Sequence, residues 1–293
     1  MIGWNTRLFI IKTFISMTTH EEQVEEFYSH GAEKRKDEAD WFLSFWYRTS
    51  DTKDYYHAAL NLLDYVMKKA KISDTKKILN VACGYGAETF RLYQTFHPEL
   101  MYAIDITWPH IYFAQKKAKE LGVDIVFEKK DACILEYPDN FFSLVFGIEW
   151  PAHFNPRKKF LEASYRVLQP WWTLVLTDII VQTEHFQHSF FKKIIAKIWS
   201  YVWKMPRANR WGIDYYRHEL EKIGYVVEYI QPIGDKVFPG FATNNLTKSS
   251  IKNAIHTRWF FVGMWLTMIS WLLKFSYIKG YIDYLCIKAT KPQ

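Results

Sequence analysis

Two glycines and a downstream acid are the residues of this sequence that point most directly to cofactor chemistry. Gly84 and Gly86 follow the apolar run KILNVA at residues 77–82. Glycine at such a turn lets the backbone approach a ligand closely, and the helix that follows offers free N–H groups. Asp105 ends the next apolar run, where a carboxylate can accept hydrogen bonds from both hydroxyls of a ribose. An NAD site or an adenosyl site could use this arrangement, but the NAD pattern G-x-G-x-x-G would need glycine at Thr89.

A further acid and three longer motifs decide between these cofactors. Asp131 follows the third apolar run, and residues 136–146 read EYPDNFFSLVF. Farther on lie EWPAHF at 149–154 and FLEASYRVLQP at 160–170. In this order the motifs resemble those of class I methyltransferases that use S-adenosylmethionine (SAM). The resemblance is to the small-molecule type, related to the sterol, tocopherol and sugar O-methyltransferases.

The resemblance covers about residues 57–180 and implies a cofactor site at the ends of the first four strands. Asp105 would bind the ribose of SAM. Asp131 would hydrogen-bond the adenine amino group, and Ala132 would pack beside the ring. The other residues that the resemblance assigns to the cofactor lie in the glycine loop, after Asp105 and at the end of the fourth strand: Ala82, Cys83, Gly84, Gly86, Ile106, Gly147 and Glu149.

His153 and Asp178 are the candidate catalytic residues. The methyl group of SAM is already activated by its sulfonium, so the protein must mainly align it with the acceptor. A hydroxyl acceptor also needs its proton removed, and histidine is suited to that near neutral pH. The resemblance to sugar O-methyltransferases implies that His153 is the base and that Asp178 orients or assists it. No metal ligand set is expected.

Three departures from the family pattern bear on this hypothesis. Asn80 stands where aspartate is usual, and Ser143 where a second aspartate is usual. Trp171 and Trp172 replace a Gly-Gly pair, and tryptophan does not adopt positive φ as freely as glycine. We therefore expect the turn into the fifth strand to differ from the family's.

The elements that must hold these residues alternate between strands and helices. Apolar runs separated by helical segments predict βαβ units and a doubly wound, mostly parallel seven-stranded α/β sheet. The sequence divides into an N-terminal helical segment or lid (1–56), a SAM-binding core (57–182), and a region of cap helices with the last two strands (183–293). The predicted strands are 77–82, 100–105, 125–128, 141–147, 173–180, 225–231 and 281–289, and the helices near the site are 87–96, 108–121 and 156–168.

Two segments of the cap are rich in aromatic residues. The predicted helix 186–203 is basic and amphipathic, which is typical of helices that lie on a membrane or close over an apolar substrate. The uncharged run 259–273 is shorter than the ~20 apolar residues that a spanning helix needs. The run 8–17 is also a poor signal peptide, because it lacks a small-residue cleavage site. Aromatic residues make up 18% of the chain, which suits an apolar pocket or a membrane-facing surface.

Charge and cysteine content narrow the possible partners. The net charge is +7, but the basic residues are scattered and include no nucleic-acid arm, so we expect no nucleic-acid partner. Three separated cysteines without a C-x-x-C pattern predict neither a disulfide framework nor a zinc site. A reducing, cytoplasmic compartment is expected, with peripheral membrane contact as an option.

The sequence therefore predicts a SAM-dependent methyltransferase of a small, fairly apolar acceptor, with O-methylation favoured and a lipid or secondary metabolite as the substrate class. N- or C-methylation, a non-catalytic SAM-binding protein and an NAD(P)-dependent reductase stay open as alternatives. The sequence does not decide the oligomeric state.

Overall fold

The computed structural model describes residues 19–29, 42–45, 54–72, 75–182, 190–246 and 260–293, with residues 47, 49 and 52 between them. The apolar run 8–17 and the first residues of the predicted cap helix 186–203 lie outside the described residues. The boundaries drawn at residues 56 and 182 stay predictions.

Seven strands form one sheet: β1 Lys77–Val81, β2 Leu100–Asp105, β3 Val126–Lys129, β4 Phe142–Ile148, β5 Leu168–Val181, β6 Val226–Pro232 and β7 Ile282–Thr290. Their order in the sheet is β3-β2-β1-β4-β5-β7-β6. Neighbours from β3 to β5 are parallel, and β7 is antiparallel to both β5 and β6. The predicted doubly wound, mostly parallel fold is confirmed.

Helices cover both faces of this sheet. The helices of the described residues are α1 His20–Ser29, α2 Tyr55–Ala70, α3 Ala87–Phe96, α4 Trp108–Leu121, α5 Arg157–Val167, α6 Phe190–Val202, α7 Ile213–Ile223, α8 Gly234–Asn245 and α9 Phe260–Ile278. Six of them contribute to one buried cluster: α2, α3, α4, α6, α8 and α9. Helices α5 and α7 pack on the opposite face. None of the helices of the described residues is both long and apolar enough to cross a bilayer.

The structure differs from the sequence prediction in three elements. Residues 42–45 are not helical, because the Phe45 N–H donates to the carboxylate of Glu149 and not to a carbonyl one turn earlier. Helix α8 was not predicted, since Pro239 and two glycines break its helical pattern. Helix α9 runs five residues beyond the predicted end at Leu273.

The expectation that the turn into β5 differs from the family's stays a prediction. Trp171 adopts the left-handed conformation expected of glycine, with φ at 71°. Two backbone hydrogen bonds hold this conformation. Trp171 N–H donates to Lys291 O at 2.7 Å, and Lys291 N–H donates to Trp172 O at 3.0 Å. The turn lies at the amino end of β5, so neither tryptophan blocks the opposite edge of the sheet.

Candidate cofactor site

A small, partly open cavity lies where β1 to β4 end. Because these strands are parallel, their carboxyl ends meet at one edge of the sheet, which is where ligands bind in doubly wound folds. The structure brings six of the predicted site residues to the walls of this cavity: Ala82, Asp105, Ile106, Asp131, Ala132 and His153.

The loop after β1 turns sharply beneath the cavity. Ala82, Gly84 and Gly86 all have positive φ, at 51°, 52° and 87°. A Cβ on Gly86 would lie 3.0 Å from Phe90 and 3.2 Å from Phe127. The loop therefore requires glycine there for both its conformation and its packing, and it leads directly into the N-terminus of α3.

Asp105 is held in place by three hydrogen bonds. One carboxylate oxygen accepts from Gly84 N–H at 2.9 Å, and the other accepts from Thr107 N–H at 2.8 Å and lies 3.2 Å from Nδ1 of His110. Asp105 thus connects the glycine loop to the start of α4. It lies at the cavity wall, the place that the resemblance assigns to the ribose-binding acid.

His110 supplies an observation that the sequence did not offer. Its ring is 2% exposed and lines the cavity, yet Nε2 has no hydrogen-bond partner among the described residues. A buried polar atom without a partner is costly unless a ligand satisfies it. Together with the acids and the glycine loop, this atom shows that the cavity fits a polar, adenosyl-type group. The only sequence signal for His110 is its position one turn into the helix that follows Asp105.

On the β3 side, Asp131 and Ala132 form part of the wall. One oxygen of Asp131 accepts from Cys133 N–H at 2.8 Å, which fixes the turn that carries both residues. Lys130 also lines the cavity, but its amine points to Glu128, at 3.4 Å. The acid that the resemblance pairs with adenine is therefore available at the wall.

Helix α1 crosses the other side of the cavity through His20, Glu21, Val24 and Tyr28. Nε2 of His20 donates to the carbonyl of His153 at 2.7 Å, and the hydroxyl of Tyr28 lies 3.2 Å from Nε2 of His153. These contacts join residues more than 120 positions apart. Sequence reasoning missed them because no local pattern indicates such a pairing.

His153 ends a short 3₁₀ turn, Pro151–His153, that follows β4. Its ring lies edge-on to Tyr28 and near Trp150, with centroids 5.7 Å away in both cases. Burial, and to a smaller extent the neighbouring His20, lower the pKa of His153 to about 4. The imidazole is therefore neutral at pH 7, so one ring nitrogen keeps a free lone pair.

Asp178 does not meet His153 as the sequence hypothesis requires. Its carboxylate pairs with Nε of Arg157 at 2.8 Å, and both side chains are fully buried. Side chains alternate between the faces of a strand, so Asp178 faces α5 while Thr177 faces the opposite side. Arg157 Nε also donates to the carbonyl of Pro151 at 3.3 Å. Asp178 can thus support the turn that carries His153, but only through Arg157.

Gly147 and Glu149 are not part of the cavity wall. Gly147 is a close-packing position, since a Cβ there would lie 2.8 Å from Val81. Glu149 is buried and bonded to Tyr284 Oη at 2.6 Å and to Phe45 N–H at 2.5 Å. Burial, and to a smaller extent the negative charges of Glu88 and Asp178, raise its pKa to about 8.

The segment 42–45 packs on the glycine loop. A Cβ on Gly84 would lie 3.2 Å from the side chain of Leu43. Ser44 Oγ donates to Glu88 in the first turn of α3, at 3.3 Å. Burial raises the pKa of Glu88 to about 7. Residues 44 and 45 are thus bonded to two buried carboxyl groups with raised pKa values, those of Glu88 and Glu149.

Asn80, the departure beneath the glycine loop, has a partner in the structure. Its amide nitrogen donates to the hydroxyl of Thr89 at 2.8 Å, and both residues are buried. The bond connects β1 to α3, so the support below the loop is kept with a neutral side chain. Ser143 likewise has partners. Its hydroxyl accepts from Lys77 N–H and donates to Lys77 O, each at 2.9 Å.

Comparison with known proteins agrees with this geometry. Residues 78–171 match the methyltransferase domain family. The chain is 29% identical to erythromycin 3''-O-methyltransferase of Saccharopolyspora erythraea over 121 residues, covering 41% of this chain and 40% of that protein. It is 27% identical to a fatty-acid O-methyltransferase of Mycolicibacterium smegmatis over 160 residues, covering 52% and 57%. These alignments span less than two thirds of the relatives' length.

A solved structure extends the likeness of the fold to nearly the whole chain. Geranyl diphosphate C-methyltransferase from Streptomyces coelicolor A3(2), in complex with Mg²⁺, geranyl diphosphate and S-adenosyl-L-homocysteine, superimposes with a TM-score of 0.74 at 12% identity. The match covers 94% of this chain and all of that one. Sheet order, glycine loop and acid positions therefore define the Rossmann-like class I methyltransferase fold. Residues 78–171 therefore form a methyltransferase domain, and the cavity at its strand ends fits SAM as the cofactor.

Proposed function

We propose that this protein transfers the methyl group of SAM to a small, apolar acceptor, with an oxygen atom as the favoured acceptor. The observation that carries the proposal is the cavity itself, where Asp105 and Asp131 lie on one side and His153 on the other. SAM would supply a methyl group already activated by its sulfonium. The protein's own task is then to bind, align and desolvate the reactants.

The cofactor would be held by residues already at the cavity wall. Asp105 would accept hydrogen bonds from the ribose hydroxyls, and Asp131 would accept one from the adenine amino group. His110 Nε2, for which the described residues offer no partner, would bond to a polar atom of the nucleoside. Residues of α1 would close over the cavity and exclude water.

His153 would act as the proton acceptor. Because burial keeps its ring neutral, Nε2 can accept a hydrogen bond, and in this structure Tyr28 Oη lies 3.2 Å from it. An acceptor hydroxyl could take the place of the Tyr28 hydroxyl and pass its proton to Nε2 during attack on the methyl group. Asp178 would contribute indirectly, through Arg157 and the carbonyl of Pro151.

The wall around His153 favours an apolar acceptor. Val24, Tyr28, Trp150 and Phe154 surround the histidine and present large apolar surfaces. Apolar pockets with few polar groups bind apolar ligands and use the polar groups for orientation. The relative from M. smegmatis is named a fatty-acid O-methyltransferase, which supports lipids as the first class to test.

Titration calorimetry with SAM and S-adenosylhomocysteine tests the cofactor part of the proposal. We expect Asp105→Ala to weaken binding by roughly 100-fold, because charge-assisted hydrogen bonds are lost and Gly84 N–H loses its partner. Asp124→Ala is the matched control, since Asp124 is an exposed acid before β3, and it should bind normally. Tight NADH binding without SAM binding would refute the assignment.

Incubation with methyl-labelled SAM tests the transfer. Fatty acids, prenylated phenols and a lipid extract would serve as acceptors, with mass spectrometry of the products. We expect an O-methylated product. With a hydroxyl acceptor, His153→Asn should lose roughly 100-fold in turnover, the typical contribution of a general base, whereas a fatty-acid carboxylate has no proton to lose at pH 7 and should be affected much less. Label on nitrogen or carbon would contradict O-methylation, and SAM binding without any transfer would favour the non-catalytic alternative.

A further inference from the structure

Helix α9 exposes an apolar side to water although its inner side is already apolar, with Ile269 and Leu272 packed on the core. The side facing the protein carries Ser270 and Ser276, which are 4% and 0% exposed, beside the buried Leu273. The side facing outward carries large apolar residues that are more than half exposed: Met264, Met268, Trp271 and Ile278. Their spacing of three to four or seven residues places them along one stripe of the helix.

The ring of Trp271 is stacked on Phe275 at 5.4 Å, which extends the same apolar surface toward the end of α9. Isolated apolar residues on a surface are ordinary, whereas a continuous exposed stripe marks an interaction site. The stripe therefore needs an apolar environment outside the protein.

Helix α6 packs directly against α9 and has a surface of similar kind. Trp199 Nε1 donates to Ser276 Oγ at 2.8 Å, and both side chains are fully buried. Ser276 of α9 thus accepts the hydrogen bond of the buried indole N–H of α6. On its outer side α6 exposes Ile194 and Tyr201, the latter 68% exposed.

The charged residues within these two helices are all basic. Neither α6 nor α9 contains an aspartate or glutamate. Lys193 and Lys197 are exposed on α6, and the exposed Lys279 follows α9, in a chain of net charge +7. Apolar residues combined with lysines and without acids are typical of helices that lie in the interface of an anionic bilayer.

We propose that the outer faces of α6 and α9 form a docking surface for an anionic lipid bilayer. The methionines and Trp271 would enter the headgroup region, while the lysines would bind lipid phosphates. Two copies of this chain would be a poorer match, because each would bring the same exposed lysines of α6 against the other. The inference concerns a surface remote from the chemistry and does not depend on the proposed methyl transfer.

Vesicle flotation tests the docking surface. We expect the protein to float with phosphatidylcholine vesicles that contain about 30% phosphatidylglycerol, and to float weakly with phosphatidylcholine alone. The double variant Met268→Gln with Trp271→Gln should reduce binding to the anionic vesicles at least tenfold. Trp171→Gln is the matched control, because that tryptophan is 67% exposed on the turn into β5, and it should bind like the wild type.

A second variant separates charge from apolar insertion. Lys193→Glu with Lys197→Glu leaves the apolar stripe intact and should also reduce binding at least tenfold. Unchanged thermal melting would show that each variant is folded. Equal flotation of the wild type and the Met268/Trp271 variant would overturn the proposal. The proposal would also be overturned if light scattering showed a dimer of the wild type that is lost only in the Met268/Trp271 variant, since the stripe would then be a contact between copies.

Discussion

Glu149 and Asp178 are buried carboxyl groups at the ends of the neighbouring strands β4 and β5, but their partners differ in kind. Asp178 pairs with the guanidinium of Arg157. Within the part of the chain that the structure describes, the carboxyl group of Glu149 has neutral donors, the hydroxyl of Tyr284 and the N–H of Phe45. Burial raises the pKa of Asp178 only to about 6, because Arg157 opposes the rise, while that of Glu149 reaches about 8.

Because their pKa values differ, Asp178 and Glu149 support the site in different ways. At pH 7 Asp178 is charged and serves as an anchor for Arg157, whose other bonds hold the turn that ends at His153. Glu149 is mostly protonated at that pH and holds the N-terminal segment to the sheet. Two acids at equivalent places therefore support opposite sides of the site, one through charge and one without it.

The largest effect should come from breaking the ion pair. Arg157→Met leaves the carboxylate of Asp178 buried without a counter-charge, which costs about 3–5 kcal/mol of unfolding free energy. Chemical denaturation measures it. Arg91→Met removes the half-exposed pair with Asp64 and should cost less than about 1 kcal/mol.

Adding Asp178→Asn to Arg157→Met should restore about 2 kcal/mol, because the uncompensated charge is then gone. Recovery would be incomplete, since the carbonyls of Pro151 and Asn209 still lose their donor. If the single and double variants were equally unstable, the loss would come from packing and the charge argument would fail.

A second, smaller effect concerns the pH dependence of stability. Glu149 has a raised pKa in the folded state, so its protonated form stabilises the fold at low pH, and that contribution is lost as pH rises toward about 8. The unfolding free energy of the wild type should fall by about 2 kcal/mol from about pH 6.5 to about pH 8, at up to about 1.4 kcal/mol per pH unit.

In Glu149→Gln most of this fall should disappear, because the amide does not titrate. A residual part would remain from Glu88, whose pKa of about 7 also lies in this interval. Glu120→Gln, at an exposed helical position, should keep the wild-type dependence. The same pH dependence in Glu149→Gln would show that Glu149 is charged in the folded protein.

The smallest effect should come from Tyr284→Phe. The hydroxyl bonds both Glu149 and Thr177 Oγ1, at 2.6 and 2.8 Å, and its loss should cost about 1 kcal/mol. Because this hydroxyl lowers the pKa of Glu149, the pH at which stability is lost should move upward. Tyr112→Phe, at an exposed position, should change neither quantity. A downward movement would contradict the direction of the hydrogen bond.

Much of the fold and part of the site were predictable from the sequence. Helices 87–96 and 108–121 and strand 100–105 match their observed bounds, because periodicity and turn residues act within a few positions. The same locality placed Asp105 and Asp131 at the cavity, since each directly follows or ends a strand. The contacts between α1 and His153 could not be predicted from the sequence, because Tyr28 and His153 are 125 residues apart.

The sequence by itself determined the order of strands and helices, the glycine loop and the acids that follow the strands. Only the tertiary structure decided that Asp178 faces Arg157, that Glu149 binds the N-terminal segment, and that α9 turns its serines inward. The reason is physical: a backbone turn or an alternating pattern is set by neighbouring residues, whereas a side chain's partner and charge depend on which distant element packs against it.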